Sequence, residues 1–394
     1  MKRESFGSRL GFILVSAGCA IGIGNVWKFP YICGAYGGAA FILIYLCFLV
    51  ILGIPVLVAE FAVGRGSHTS VAKCFDKLAP AGSCWKPLKF IGIIGCYMLM
   101  MFYTTVGGWM IYYCVKSLRG DFVGATPEAV TQSFSDMLGN APTMMLWMVI
   151  ICLIGFAVCF MGLQNGIEKI SKVMMSALLI IMAILAVHSV MMEGAGEGIR
   201  FYLIPDFQKI KEAGVGNVVF AALSQSFFTL SIGIGAMLIF GSYLDKSRSL
   251  TGEAVSITVL DTFVALTAGF IIIPACFSYG IQPDAGPSLI FITLPNIFAK
   301  MSGGALWGSL FFLFLTFAAV STIIAVFENL IVFNMELFGW NRKKSVVTLG
   351  APHGVMGRMG RTAHTMCAWI QCTFRIPAIR RWKQHHGSGR LYCF

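Results

Sequence analysis

Charged residues are scarce in this chain of 394 residues. Asp, Glu, Lys and Arg make up only 12% of it, whereas 57% is hydrophobic, and the mean hydropathy is +0.81. Soluble domains carry about 25% charged residues, and disordered chains are poor in apolar ones. The composition therefore excludes both classes and predicts a polytopic membrane protein.

Acidic residues are the scarcest charged type, with 17 against 29 basic residues and a formal net charge of +12. Most of the excess lies at one end, because the segment from Arg342 to Phe394 contains ten Lys or Arg and no Asp or Glu. A charge confined to one tail does not make the basic surface of a nucleic-acid-binding domain. No nucleic acid is therefore expected as a partner.

Apolar stretches long enough to cross a bilayer, which takes about 20 residues, recur along the chain. They predict eight spans, at 9–33, 37–62, 89–115, 142–161, 170–192, 216–243, 254–281 and 304–335. Basic residues such as Lys73, Lys169 and Lys246 lie in the short loops on the side of the N-terminus. This bias places the N-terminus in the cytoplasm.

Glycine and polar residues interrupt the first span. Gly18, Gly22, Gly24, Asn25 and Lys28 lie within it, and they favour an unwound segment partway across the bilayer. Exposed backbone at that depth is tolerated only where it is buried in protein or lines a cavity, so the pattern predicts a binding site. A glycine-rich dimerisation face is the alternative, but it leaves Asn25 and Lys28 unexplained.

The sixth span is interrupted in the same way between Gln225 and Gly235. Interruptions at corresponding positions indicate two inverted repeats of five spans, with the substrate at their interface. Half-helix N-termini favour anions and freed carbonyls favour cations. One site of this kind can hold a carboxylate beside a sodium ion.

A few polar groups within the spans allow two interpretations each. Glu60 either accepts hydrogen bonds from amides freed by a broken helix or is an interfacial carboxylate. Asp261 either ligates an ion or makes a structural hydrogen bond. Ser321 and Thr322 either contribute to a site or bond back to carbonyls of their own helix.

Together these segments resemble the neurotransmitter:sodium symporter family, and specifically its bacterial amino-acid transporters. The resemblance covers residues 1 to about 344 and lies in the segments 18–30, 53–65, 162–169 and 225–235. It implies an all-α polytopic fold of two inverted five-span repeats with broken spans 1 and 6. It further implies sodium-coupled symport of a neutral amino acid across the bacterial cytoplasmic membrane. The small amino acid and the lipid bilayer are the implied partners, and a homo-oligomer is not excluded.

The resemblance implies two sodium ions with oxygen ligands. The first ion would bind the Ala20 carbonyl, the Asn25 side chain, Thr229 and Asp261. The second would bind the carbonyls of Gly18, Ile21 and Ala318 and the hydroxyls of Ser321 and Thr322. Because Asp261 supplies negative charge at the first ion, chloride is not expected.

The implied substrate pocket has the amides of span 1 and the Tyr103 hydroxyl at the carboxylate, Phe228 and Ser231 near the amino group, and apolar side chains elsewhere. Its residues are Ala20, Gly22, Gly24, Leu99, Tyr103, Phe228, Thr229, Ser231, Ile234, Thr322 and Val326. The implied gating residues are Lys28 on the outside and Arg3, Ser242, Tyr243 and Glu336 on the inside. Phe228 and Tyr103 would form the outer lid, and Arg3 would pair with Glu336.

The end of the sequence departs from the family pattern. No stretch of about 20 apolar residues follows Lys344, so the ninth and tenth spans are missing and the second repeat is incomplete. We expect a transporter domain at 1–344 with about eight transmembrane helices, and an aberrant, irregular cytoplasmic tail at 345–394. Little transport by the chain itself is then expected.

Two other function classes compete with symport. An amino-acid-binding membrane sensor that does not translocate its ligand is the alternative. An enzyme is not expected, because the predicted spans contain no nucleophile–base pair or metal triad. His188 is the only histidine within them.

Overall fold

The computed structural model describes residues 4–280 and 287–350, and all regular structure within these ranges is helical. Six uninterrupted helices are long and apolar enough to cross a membrane. They are Ala39–Ser67, Leu88–Arg119, Ala141–Phe160, Leu163–Val190, Leu250–Ser278 and Gly304–Phe338. They correspond to the predicted spans 2, 3, 4, 5, 7 and 8.

Spans 1 and 6 are each made of two helices, as the glycine and polar residues predict. Span 1 consists of Arg9–Ala20 and Gly24–Ala35, which are bent by 57° at the break. Span 6 consists of Val215–Thr229 and Ala236–Gly241. The all-helical membrane fold with interrupted first and sixth spans is therefore confirmed.

The local backbone explains why both helices stop. In span 1 the helix ends at Ala20, and Ile21 takes an extended conformation, with φ −67° and ψ 99°. In span 6 every second residue has a left-handed backbone conformation: φ is 51° at Ser231, 91° at Gly233 and 79° at Gly235. Glycine adopts such a backbone without steric cost, whereas a serine does so rarely.

Span 8 lies in the interior of the bundle. Of an apolar stretch of 18 residues in span 8, 78% is buried in the protein, compared with 28% of such a stretch in span 5 and 33% in span 2. It packs against spans 1, 3, 4 and 5. Residues on its buried face are thus available to a site formed with the broken part of span 1.

Span 2 and the second half of span 6 touch through their backbones. A Cβ atom on Gly64 would overlap the Leu238 carbonyl, and one on Gly241 would overlap the Phe61 backbone. Only glycine permits so close an approach. This contact anchors one end of the span 6 break to span 2.

Shorter helices lie between the spans, and one of them follows span 8. They are Val71–Leu78, Pro127–Gly139, Ala195–Leu203, Phe207–Ala213, Leu289–Lys300 and Arg342–Gly350. The last of them packs against spans 4 and 8, with Ser345, Val346 and Leu349 buried. The expectation of an irregular tail is therefore wrong for residues 345–350, and the segment 351–394 lies outside the described residues.

Candidate functional site

A cavity of about 310 Å³ lies between the two helix breaks, closed on the other sides by spans 3 and 8. Its lining is predominantly apolar in area, with a few polar groups at one side. The lining residues are Ala20, Gly22, Gly24, Asn25, Gly95, Leu99, Tyr103, Phe227, Phe228, Ser231, Ile232, Ile234 and Thr322.

Tyr103 from span 3 reaches into the break of span 1. The backbone amide of Ile23 donates to the Tyr103 hydroxyl over 2.8 Å. A Cβ atom on Gly22 would overlap that hydroxyl, so the glycine allows the phenol to approach the backbone. The phenolic proton and the amides freed by the break provide hydrogen-bond donors at this end of the cavity.

Thr322 from span 8 faces the carbonyls at the end of the first half of span 1. Its hydroxyl oxygen lies 3.1 Å from the Gly18 carbonyl, 3.3 Å from the Ile21 carbonyl and 3.2 Å from the Ala318 carbonyl of its own helix. One hydroxyl proton can serve only one of these three acceptors at a time. The arrangement thus has more oxygen acceptors than donors, which suits a hard cation.

Ser321 adjoins this group but points to its own helix. Its hydroxyl donates to the Ala318 carbonyl over 3.0 Å, the back-bonding arrangement that is common for serine in helices. Its Cβ lies 3.1 Å from the position that a Cβ on Gly18 would take. Ser321 is therefore next to the span 1 break, although its hydroxyl is engaged locally.

A second oxygen cluster joins spans 1, 6 and 7. The Asn25 amide donates to one oxygen of Asp261 over 2.7 Å, and the Thr229 hydroxyl donates to the other over 2.7 Å. The Thr229 hydroxyl also lies 3.3 Å from the Asn25 side-chain oxygen. Asp261 is 0% exposed, and among the described residues no cationic side chain forms an ion pair with it.

Phe228 and Lys28 lie together at the rim of the cavity. The Lys28 ammonium is 4.6 Å from the centroid of the Phe228 ring, within the range of a cation–π contact. A Cβ atom on Gly24 would overlap the same ring. The Ser231 hydroxyl donates to the Cys19 carbonyl over 3.0 Å, which ties the break of span 6 to span 1.

The backbone of the span 6 break is held by side chains from three other spans. The Gly233 amide donates to the Glu60 carboxylate over 2.5 Å, as one interpretation of Glu60 predicts. The Ile234 carbonyl accepts from the Cys96 thiol at 3.2 Å and from the Asn329 amide at 3.3 Å. The Gly233 amide and the Ile234 carbonyl thus have partners from outside span 6.

Nine of the eleven residues predicted for the substrate pocket line this cavity, and Thr229 and Val326 do not. Thr229 belongs to the Asp261 cluster, and Val326 is buried in span 8. Gly95, Phe227 and Ile232 line the cavity without having been predicted. Gly95 could have been found, because it lies one helical turn before Leu99 and therefore on the same face of span 3.

Two of the residues predicted for the inner gate, Tyr243 and Glu336, line the same surface cavity. Glu336 accepts from the backbone amide of Ser70 at 2.9 Å and from its hydroxyl at 2.7 Å. Arg3 lies outside the described residues. Tyr243 donates to Glu328 over 2.8 Å, a carboxylate to which the sequence assigned no role.

Glu328 forms a buried ion pair with Arg342, which follows span 8. Two guanidinium nitrogens approach its carboxylate oxygens at 2.6 and 2.9 Å, and Glu328 is 0% exposed. Burial alone would lower the pKa of Arg342, but the Glu328 carboxylate outweighs it and holds that pKa above its usual range. Removing one partner of such a pair leaves a buried charge uncompensated.

Comparisons with known proteins agree with this geometry. The model of the Sodium:neurotransmitter symporter family matches residues 3–126 and 128–359. An uncharacterized sodium-dependent transporter of Bacillus subtilis, YhdH, is 36% identical over 330 residues, which cover 84% of this chain and 72% of that protein. An uncharacterized sodium-dependent transporter of Haemophilus influenzae is 33% identical over 355 residues, which cover 88% of this chain and 77% of that protein.

Among solved structures, the crystal structure of MhsT in complex with L-phenylalanine superposes with a TM-score of 0.83. The two sequences are 37% identical, and the match covers 92% of this chain and 81% of that chain. Fold and site therefore define a multi-pass membrane transporter. The chain belongs to the sodium:neurotransmitter symporter family.

Proposed function

We propose that this protein carries a neutral amino acid with an apolar side chain across the bacterial cytoplasmic membrane together with sodium. The observation that carries the proposal is the buried Asp261 carboxylate, which has no cationic side-chain partner among the described residues and lies beside an amino-acid-sized cavity. An uncompensated buried charge is costly, so a cation is needed there. No bond is made or broken in this function.

The polarity of the cavity suggests how the amino acid is oriented. Its carboxylate would lie at the break of span 1, where the Tyr103 hydroxyl and the amides of Gly22 and Gly24 are the donors. Its ammonium group would lie near Ala20, Phe228 and Ser231. The side chain would then occupy the apolar part beside Leu99 and Ile234. The L-phenylalanine bound by MhsT supports this substrate class.

Two sodium ions are proposed, one for each oxygen cluster. The first would bind Asn25, Thr229, Asp261 and the Ala20 carbonyl. The second would bind the carbonyls of Gly18, Ile21 and Ala318 with the hydroxyls of Thr322 and Ser321. All of these ligands are oxygens, which hard cations prefer to nitrogen or sulfur.

Chloride is not needed in this proposal, because the Asp261 carboxylate already balances the charge of the first sodium ion. Asn25 belongs to both this oxygen cluster and the cavity lining. The substrate carboxylate would therefore be able to share the first sodium ion. Sodium and amino acid would then stabilise each other's binding.

Access to the cavity would be controlled at both ends. On the outer side we assign the lid to Phe228 and Tyr103, with Lys28 stacked on the Phe228 ring. On the cytoplasmic side, where the N-terminus would lie, we assign the gate to Arg3, Ser242, Tyr243 and Glu336. The buried pair of Glu328 and Arg342 would belong to the same closed surface, since Tyr243 binds Glu328.

Uptake by the purified protein in proteoliposomes tests this function. A panel of radiolabelled amino acids is offered with an inward sodium gradient, and with choline in place of sodium. Symport predicts concentrative uptake of neutral apolar amino acids in sodium alone, in contrast to the little transport that the sequence predicts for this chain. Uptake of equal size in choline contradicts the coupling, and sodium-dependent binding without uptake favours the non-translocating sensor.

A further inference from the structure

The cavity extends toward a gap in the surface of span 3. Gly95 lines the cavity, and a Cβ atom placed on it would meet only one atom within 4 Å, the Ile234 Cγ2 at 3.8 Å. This is ordinary van der Waals contact, so the space beside Gly95 could hold a larger side chain. In this protein the space beside Gly95 is part of the cavity.

The wall opposite Gly95 is fixed in place. The Ile234 carbonyl accepts hydrogen bonds from both Cys96 and Asn329, and the neighbouring Gly233 amide donates to Glu60. Moving the Ile234 backbone away from span 3 would break the two partly buried hydrogen bonds to its carbonyl, and their loss opposes the movement. Gly95 and Ile234 together therefore form a fixed boundary of the apolar end of the cavity.

We propose that Gly95 is a specificity-determining residue, whose missing side chain admits the far end of a bulky aromatic substrate. The inference rests on the proposed function and deepens it, because it assigns the substrate's side chain to the part of the cavity that Gly95 and Ile234 both line. Small amino acids such as alanine would leave that space unfilled and bind more weakly. Adding atoms at residue 95 would exclude aromatic side chains first.

The expected size of the effect follows from the rigidity of the wall. One methylene more or less in an apolar pocket changes discrimination by about 10- to 200-fold. Gly95→Ala adds one carbon atom in ordinary contact and should have a modest effect. Gly95→Val adds two more, and in a cavity already filled by an aromatic substrate these cannot be accommodated without displacing the substrate or Ile234.

The test is competition by unlabelled L-alanine, L-leucine, L-phenylalanine and L-tryptophan against a labelled substrate, at saturating sodium. For Gly95→Val the inhibition constants of phenylalanine and tryptophan should rise about tenfold or more relative to that of alanine. Gly95→Ala should give a smaller shift in the same direction. Ile234→Ala should favour tryptophan, and the double variant Gly95→Val, Ile234→Ala should partly recover aromatic binding, as expected for residues that share one space.

Gly92→Ala is the matched control, because Gly92 lies one turn earlier on span 3 and does not line the cavity. A Cβ atom on Gly92 would meet the Ile234 carbonyl at 3.6 Å, so the same loop is touched without filling the cavity. An equal change of preference in Gly92→Ala, or an unchanged preference in Gly95→Val, overturns the inference. If the wild-type protein binds no amino acid in sodium, the proposed function itself fails, which is a different result.

Discussion

The breaks of spans 1 and 6 face the same cavity, but their backbone groups are satisfied to different extents. In span 1 the carbonyls of Gly18 and Ile21 share the single hydroxyl proton of Thr322 with Ala318. In span 6 the Ile234 carbonyl has two donors of its own, and the Gly233 amide has a carboxylate as its acceptor. Span 1 is thus short of donors, whereas span 6 is not.

This difference assigns separate tasks to the two breaks. Oxygens that lack donors can be satisfied by a cation, so the span 1 break is suited to exchange an ion. Backbone groups that are held by side chains of other spans resist movement, so the part of the span 6 break at Gly233 and Ile234 is suited to form a fixed wall. Substitutions that alter the oxygens at the span 1 break should therefore change sodium affinity, and those that remove a partner of Gly233 or Ile234 in span 6 should change stability at any sodium concentration.

The largest effect on sodium is expected from Asp261→Asn. The substitution preserves size but removes the charge and leaves Asn25 or Thr229 without its acceptor. Hydrogen bonds to charged groups contribute about 1.5–3 kcal/mol, so apparent sodium affinity should fall about 10- to 150-fold in sodium titrations of amino-acid binding. Asp245→Asn, at an exposed carboxylate, is the control and should have no effect. A sodium affinity that is the same in both variants would argue against the first ion site.

Glu60→Leu should act on span 6 and not on sodium. The exposed Gly233 amide would lose its carboxylate acceptor, and because water can replace that acceptor the cost should be about 0.5–1.5 kcal/mol. Thermal unfolding in detergent should shift to lower temperature by the same amount in sodium and in choline. Glu60→Gln, which retains an acceptor oxygen, should shift it less. A loss seen only in sodium would mean that this break also belongs to the ion site.

Thr322→Val should have a smaller effect on sodium than Asp261→Asn, because it removes a neutral ligand of similar shape. A neutral hydrogen bond is worth about 0.5–1.5 kcal/mol, which predicts a decrease in apparent sodium affinity of about 2- to 12-fold. Thr316→Val is the matched control in the same span, since its hydroxyl bonds only to the Phe312 carbonyl of its own helix. If the two variants behave alike, Thr322 has the structural role and not the ligand role.

Chloride should have the smallest effect of all. When gluconate replaces chloride at constant sodium, uptake by the wild-type protein should not change, because Asp261 supplies the compensating charge. In Asp261→Asn any residual uptake should become sensitive to the anion. Wild-type uptake that collapses in gluconate would show that the carboxylate does not serve this purpose.

The positions of both breaks could be predicted from the sequence, because clustered glycine and polar residues within an apolar span disfavour a continuous helix there. The Asp261 cluster could also be predicted, since an ionisable group inside a span needs a partner. The pair of Glu328 and Arg342 was not, because it depends on how the helix Arg342–Gly350 folds back against span 8. Gly95 was missed although it lies one helical turn before Leu99 on the same face of span 3, because its contribution is the absence of a side chain and the pocket residues were sought among side chains.

The central claim is that sodium and the amino acid bind next to each other at the break of span 1. It is tested most directly by measuring the dissociation constant of the purified protein for its preferred amino acid over a series of sodium concentrations, with choline holding ionic strength constant. The account predicts that this constant falls as sodium rises, that the apparent sodium affinity rises by the same factor when the amino acid is present, and that binding is lost in choline alone. Amino-acid binding of equal strength in sodium and in choline would contradict it.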